Sequence, residues 1–211
     1  MTKLILVRHG HTELNQPGRN ERLRAWKNIP LDEQGLREAA LIAERLAEEP
    51  VDFICTSDLE RARQTAQVVS AATDAPVIAT EALRPWNLGT LAGRKVSECL
   101  DILNQLQEFP ERKAPSGESL EEFFHRYSVH LRALMAIAER TRRCIVVVTH
   151  VRNFLAAPLV LTGGEARKIP VKGGPRTGSV LVMEKRGRKW EISSMPHPVE
   201  TTVADRFVVT T

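Results

Sequence analysis

The sequence lacks the features that would mark a secreted, membrane or nucleic-acid-binding protein. Its three cysteines, Cys55, Cys99 and Cys144, are odd in number and widely spaced, which excludes a disulfide framework. Two of them fall in apolar runs, so buried free thiols in a reducing compartment are expected. No apolar stretch approaches the roughly 20 residues needed to cross a bilayer, and the chain opens on its first apolar run without a signal-peptide pattern. The expected location is cytoplasmic, with no membrane partner. Aromatic residues make up 5% of the chain, with a single Tyr, so the basic residues are not interleaved with stacking side chains and no nucleic acid is expected. Nor is there a dense His/Asp/Glu pattern with metal-ligand spacing, and no metal is expected.

What the chain does have is enough apolar content for one substantial core. With 211 residues and 42% hydrophobic content, a single domain spanning residues 1–211 is the natural organisation. The tail after about residue 196 carries no strong pattern, and either packs loosely or wraps a second copy in a homodimer. Thirty basic residues against 26 acidic ones leave a net charge of only +4. Arg19, Arg22, Arg24 and Lys27 nevertheless cluster, and they read as a basic rim that attracts small anions.

The most telling segment is Leu4–Asn15, LILVRHGHTELN. A short run of Leu, Ile, Leu and Val is what a buried strand of an α/β sheet looks like. Ligands of such sheets bind just beyond the carboxyl ends of the strands, where this run releases Arg8, His9 and a glycine that lets the backbone turn. A second apolar stretch, Phe53–Cys55, leads into TSDLERARQTA at Thr56–Ala66. There Ser57 or Asp58 is suited to cap a helix, and Arg61 falls in its first turn, where the dipole favours an anion. The β-rich run Cys144–Thr149 delivers a second histidine, His150. Two histidines and two arginines at the ends of three separate apolar runs read as one anion site containing a nucleophile.

These motifs resemble those of the histidine phosphatase superfamily, in its phosphoglycerate-mutase-like branch. RHGHT at Arg8–Thr12, with Asn15 downstream, looks like the family signature, and SDLERARQTA at Ser57–Ala66 looks like its second motif. Trp26, Pro30, Leu31, Gly35 and the run Pro115–Ser119 also match, so the resemblance spans Lys3 to about Met195. It implies a two-step phosphoryl transfer without a cofactor or metal. His9 would be the nucleophile, and Arg8, Arg61 and His150 would hold the phosphoryl oxygens, with Asn15 or Thr12 adding neutral hydrogen bonds. That division of labour suits phosphoryl transfer, which asks chiefly for positioning and charge stabilisation. The implied substrate is a small phosphorylated metabolite or a phosphorylated protein side chain. Besides a phosphatase, two alternatives stand: a phosphoglycerate-type mutase, and a phosphate-binding regulatory module with little turnover.

Two departures accompany the resemblance. The family segment matching Leu83–Gly89 commonly supplies a glutamate as general acid, and the matching residue here is Pro85. Glu81 and Glu118 are the nearest candidates for a replacement acid by motif position. After His150 the family usually has Gly-Gly, whereas this chain has Val151-Arg152. Arg152 is expected to point into solvent rather than crowd the pocket.

The remaining pattern supplies the scaffold. Apolar positions from Leu36 to Ala47 have helical spacing behind Asp32 as cap, and helices are also expected at 59–72, 94–109 and 118–140. Ser179–Lys185 and Lys189–Ser194 flank Gly187 as a hairpin. Strands alternating with helices predict a three-layer α/β/α sandwich, and the hairpin makes the sheet mixed though mostly parallel, as in the phosphoglycerate mutase-like fold.

Overall fold

The computed structural model describes residues 2–15 and 21–198, the last four of them as backbone only. Six strands form one sheet: β1 (Lys3–Arg8), β2 (Val51–Ser57), β3 (Val77–Thr80), β4 (Cys144–Thr149), β5 (Ser179–Arg186) and β6 (Lys189–Pro198). Their spatial order is β3-β2-β4-β1-β5-β6. The pairs β1–β4, β2–β4 and β2–β3 are parallel, and the hairpin β5–β6 adds two antiparallel pairings at the other edge. This is the mixed, mostly parallel sheet expected from the sequence. The tail after about residue 196 lies almost wholly outside the described residues, although β6 runs on to Pro198.

Among the described residues five α-helices cover the two faces: α1 (Glu33–Leu46), α2 (Glu60–Thr73), α3 (Val96–Glu108), α4 (Leu120–Thr141) and α5 (Val151–Thr162). Side chains alternate across a strand, and β1 shows what that does here. Ile5 and Val7 pack with Ile42, Ala43 and Leu46 of α1 and Ala62, Ala66 and Val69 of α2. Leu4 and Leu6 enter the larger core on the opposite face, with Leu103 of α3, Phe123, Tyr127 and Leu131 of α4, and Phe154 of α5. A run buried on both faces therefore has to be apolar at every position, which is why LILV is continuous rather than alternating.

Local chemistry sets the helix starts. Asp32 caps α1, its Oδ1 accepting the Gly35 N–H at 2.9 Å. Ser119 and Glu122 form a reciprocal capping box at α4, which stabilises the helix end by satisfying two otherwise free N–H groups. At α2 the expected cap is not formed by Ser57 or Asp58. Leu59 occupies the cap position with no side-chain hydrogen bond, and Ser57 Oγ reaches only the Leu59 N–H, at 3.4 Å. Asp58 is drawn away into an ion pair with Arg84, whose guanidinium also lies 4.5 Å from the Trp26 ring centroid. A long-range charge pair thus overrides a local preference.

All three thiols are buried and free, as expected. Gly10 serves differently from the turn foreseen for it. It is absent from the positive-φ glycines, and instead a Cβ there would collide with the Gly35 carbonyl. Reciprocally, a Cβ on Gly35 would strike the His11 carbonyl. The two glycines let the segment after β1 lie backbone-to-backbone against the first turn of α1, which fixes where His9 can sit.

Candidate active site

Register brings the expected residues together. Arg8 at the end of β1 pairs with Thr149 at the end of β4, so His9 and His150 leave the sheet side by side. The His9 N–H continues the ladder to the Thr149 carbonyl at 3.0 Å. The two imidazole centroids lie 5.0 Å apart, edge to face. Arg61 reaches in from the first turn of α2, its Nε donating to His9 Nε2 at 3.3 Å. His150 is itself the residue preceding α5. The positive ends of α2 and α5 therefore both face this point, a setting that favours a bound anion.

The hydrogen-bond pattern also sets the tautomer of His9. Nδ1 lies 2.7 Å from the Gly10 carbonyl, which only accepts, so the ring proton belongs on Nδ1. The Nε2 lone pair is then the one exposed to the arginine cluster. Arg61 is itself pinned, donating to the carbonyls of Lys27 at 2.8 Å and Ala25 at 3.0 Å. Thr65 Oγ1 accepts from the Gly10 N–H and donates to the Arg61 carbonyl, tying the segment that carries His9 to α2.

His9 and His150 are each 2% exposed, Arg61 1% and Arg8 7%. Both ring nitrogens of His150 and Nε of Arg8 are buried without a hydrogen-bond partner among the described residues. Buried polar atoms are normally satisfied, so three unpaired ones on two residues that line one cleft point to a place built for a polar ligand. Burial, then the charges of Arg61 and Arg8, hold His9 well below the usual histidine value of 6.5. Burial, then Arg61 and His9, do the same for His150. Burial and the neighbouring Arg24 bring Arg8 and Arg61 down to about 9, which leaves both charged at neutral pH. The resting site is two neutral imidazoles among guanidinium groups, matched to a dianion.

This electrostatic arrangement has a consequence for stability. A histidine whose folded pKa lies below its unfolded value binds fewer protons when folded. Its contribution is intact above 6.5 and is lost as the pH falls below it. The expected result is a urea midpoint lower at pH 5.5 than at pH 7.5, with each of the two histidines contributing up to about 1 kcal/mol per pH unit. The His9 and His150 ring signals should stay in their neutral positions across that range. Histidine signals that titrate near 6.5 at both positions would contradict this account.

The other expected residues are divided by the structure. Asn15 lines the cleft, whereas Thr12 is fully buried and its hydroxyl donates to Asn15 Oδ1 at 2.7 Å. Thr12 thus orients Asn15 and leaves the amide NH2 of Asn15 free to donate. Glu81 and Glu118 do not reach the cleft. Glu81 is 70% exposed and accepts from Arg84 at 3.1 Å. Glu118 is held by Arg126 Nη2 at 2.6 Å and by the Asn87 N–H at 2.9 Å. Pro85 lines the cleft wall, and its carbonyl accepts from Trp26 Nε1 at 2.8 Å. Arg152 departs from the solvent-facing expectation. Its guanidinium folds over the carbonyls of Pro170 at 2.7 Å, Gly173 at 3.4 Å and Val171, and it lines the cleft. The loop at 170–173 offers a row of carbonyls that solvent would have to compete with. Arg24, read from sequence as part of a rim, is drawn into the same cleft, where it donates to the Leu14 carbonyl at 3.1 Å.

The cleft encloses about 1520 Å³. The carboxylates that line it among the described residues are Glu21 and Glu38. Glu38 is already engaged by the His11 N–H, Gln34 Nε2 and Thr177 Oγ1. His11 Nδ1 lies 2.6 Å from Asp32 Oδ2, a contact that further fastens the segment after β1 to the cap of α1. No group of three or more His, Cys, Asp or Glu able to hold a metal occurs among the described residues.

Similar proteins share this arrangement of strands and helices. The chain is 32% identical over 155 residues, 69% of each chain, to the probable phosphoglycerate mutase GpmB of Proteus mirabilis. The structure of a mycobacterial glucosyl-3-phosphoglycerate phosphatase complexed with VO3 superposes with a TM-score of 0.78 at 23% identity, covering 92% of this chain and 99% of that one. Bacillus stearothermophilus YhfR gives a TM-score of 0.75 at 26% identity, covering 92% and 96%. Residues 4–197 match the profile of the histidine phosphatase superfamily, branch 1. With the match running from β1 through β6 and taking in Arg8, His9, Arg61 and His150, the chain belongs to the histidine phosphatase superfamily.

Proposed function

We propose that the protein is a phosphatase that hydrolyses phosphomonoesters or phosphohistidine-type substrates through a phosphohistidine on His9. The observation that carries this reading is the meeting of a neutral, correctly tautomerised His9 with Arg61, Arg8 and His150 at one buried point. His9 Nε2 attacks phosphorus in line, and the guanidiniums of Arg8 and Arg61 match the equatorial oxygens. His150 supplies a neutral N–H, Asn15 an amide N–H, and the ends of α2 and α5 their dipoles. Water then attacks the phosphohistidine, and Nε2 recovers its electron pair. Splitting the displacement in two replaces one hard step by two easier ones.

The substrate in this reading is a small phosphorylated metabolite or a phosphorylated side chain, and the setting is cytoplasmic. Among the described residues no helix is long and apolar enough to cross a membrane. A mutase is the second reading, favoured by the likeness to the probable phosphoglycerate mutase of Proteus mirabilis. The test is to quench turnover of a radiolabelled phosphate ester and map acid-labile, base-stable label to a peptide. Label on His9 with release of inorganic phosphate is expected. Label elsewhere with turnover intact would overturn the assignment, and transfer of the label to a glycerate phosphate in place of release would favour the mutase.

A further inference from the structure

Two departures from the family pattern meet in one cleft, and together they bear on the group that leaves. Pro85 lines the wall where the family commonly places its acid, and proline has no proton to give. Arg24 and Arg152 line the same cleft without belonging to the phosphoryl cluster. The Arg24 side chain is 12% exposed, and its ion-pair partner among the described residues is Glu21, at 3.4 Å. Arg152 has no carboxylate partner among the described residues; all its acceptors are backbone carbonyls. Among the described residues its Nε–H and one Nη2–H meet no acceptor, and neither does the Nε–H of Arg24.

The charge balance shows what is missing. A phosphoryl dianion is matched by Arg8 and Arg61, and the lining carboxylates Glu21 and Glu38 are outnumbered by the remaining lining cations Arg22, Arg24, Arg37, Arg152, Lys172 and Arg176. Among these Arg152 is half-buried and has no carboxylate within ion-pair distance among the described residues; burial and then repulsion from Arg24 lower it to about 10, against a weaker longer-range pull from Glu21. Buried charges are paired in stable proteins, so the cleft calls for a second anion beyond the phosphoryl group. The cleft also lacks an acid at the family position to protonate an alkoxide. A leaving group that is itself a weakly basic anion satisfies both conditions at once.

Resting on the phosphatase reading above, we propose that the site hydrolyses phosphoanhydrides, with the terminal phosphoryl group passing to His9 and the departing phosphate received by Arg24 and Arg152. The Nε2–P bond forms as the bond from phosphorus to the bridging oxygen breaks, and the electron pair stays on that oxygen. The departing phosphate takes no proton on its bridging oxygen: it already carries one on another oxygen near neutral pH and leaves as the hydrogen phosphate dianion, its developing charge met by guanidinium N–H donors. Water then attacks the phosphohistidine, and the P–N bond breaks with its electron pair returning to Nε2. The water oxygen remains on the second phosphate, and its protons go to that phosphate and to solvent. One anhydride and one water give two phosphates, and no further reactant is needed.

The experiment compares inorganic pyrophosphate, p-nitrophenyl phosphate and glycerol phosphate on the full chain, its Arg152→Gln variant and its Arg152→Lys variant. In the unmodified protein kcat/KM for pyrophosphate is expected to exceed that for glycerol phosphate by about 10²-fold or more, the advantage of a leaving group that needs no acid. Arg152→Gln is expected to lower kcat for pyrophosphate by about 10²-fold, the typical cost of one charge-stabilising donor. Turnover of the aryl ester, whose aryl group carries no charge until the bond breaks and then spreads it over the ring, should fall by a much smaller factor. Arg152→Lys should restore part of the loss on pyrophosphate. Equal losses on both substrates would mean that Arg152 merely ties down the 170–173 loop, and the proposal would fall. It would also fall if pyrophosphate were no better than glycerol phosphate while p-nitrophenyl phosphate still labelled His9, a result that leaves the phosphatase reading standing. Failure of all three substrates, with no label on His9, would overturn that reading itself.

Discussion

His9→Ala is expected to lower kcat for an aryl phosphate by about 10⁵-fold, the scale on which loss of a nucleophile is felt when its partners act as a unit, while leaving the protein folded. The fold should tolerate the change because His9 holds little else in place. Its ring makes hydrogen bonds to the Gly10 carbonyl and Arg61 Nε and an edge-to-face contact with His150, and Arg61 keeps its bonds to Lys27 and Ala25 without it. Arg61→Ala is a poorer test of chemistry. It removes a charge from the site and also frees the carbonyls of Ala25 and Lys27, so activity and local order fall together. For His9→Ala, circular dichroism and the urea midpoint should match the unmodified protein, and vanadate should still bind through Arg8, Arg61 and His150. Turnover within a factor of ten of the unmodified protein would end the case for His9 as nucleophile.

How much of this was readable in advance follows from where each interaction is encoded. The ends of β1, β2 and β4 were legible because parallel strands buried on both faces need continuous apolar runs, and such runs end visibly at Arg8, Ser57 and Thr149. The convergence of His9, Arg61 and His150 followed from three strand ends sharing one sheet edge, once the resemblance had named their roles. Arg24 and Arg152 were illegible for the opposite reason. Their positions depend on backbone carbonyls at Leu14 and at 170–173, and a carbonyl has no identity in sequence. A charged side chain followed by a loop reads as solvated unless the loop is known to present acceptors. The missing cap at α2 belongs to the same class, since the pull of Arg84 on Asp58 spans 26 positions. Thr12 shows a finer limit. Its type suited a phosphate donor, but its neighbour Asn15 lies within a single turn and takes the hydroxyl.

The second large effect concerns the leaving group. Across a series from aryl to alkyl phosphates, log kcat/KM should fall steeply as leaving-group pKa rises. The span attributable to the missing acid is about 10²- to 10⁴-fold. Pro85 cannot donate, and neither candidate replacement is placed to do so. Glu81 projects outward beside Arg84. Glu118 is clamped by Arg126, which also donates to the carbonyls of Glu81, Ala82 and Arg84. Arg126 is therefore a brace for the segment that carries Pro85, and releasing Glu118 from it would unfasten that segment. Glu118→Gln should accordingly lower thermal stability and leave the slope of the series unchanged, and Glu81→Gln should change neither. Glu21 is the cleft carboxylate with the fewest engagements, its contacts with Arg24 being 3.4 to 3.5 Å long. If it served as the acid, the unmodified protein would show a shallow series and Glu21→Gln would steepen it. A steep series that Glu21→Gln does not alter is the expected result, and a shallow one would show that a proton reaches the leaving oxygen by a route that Pro85 does not block.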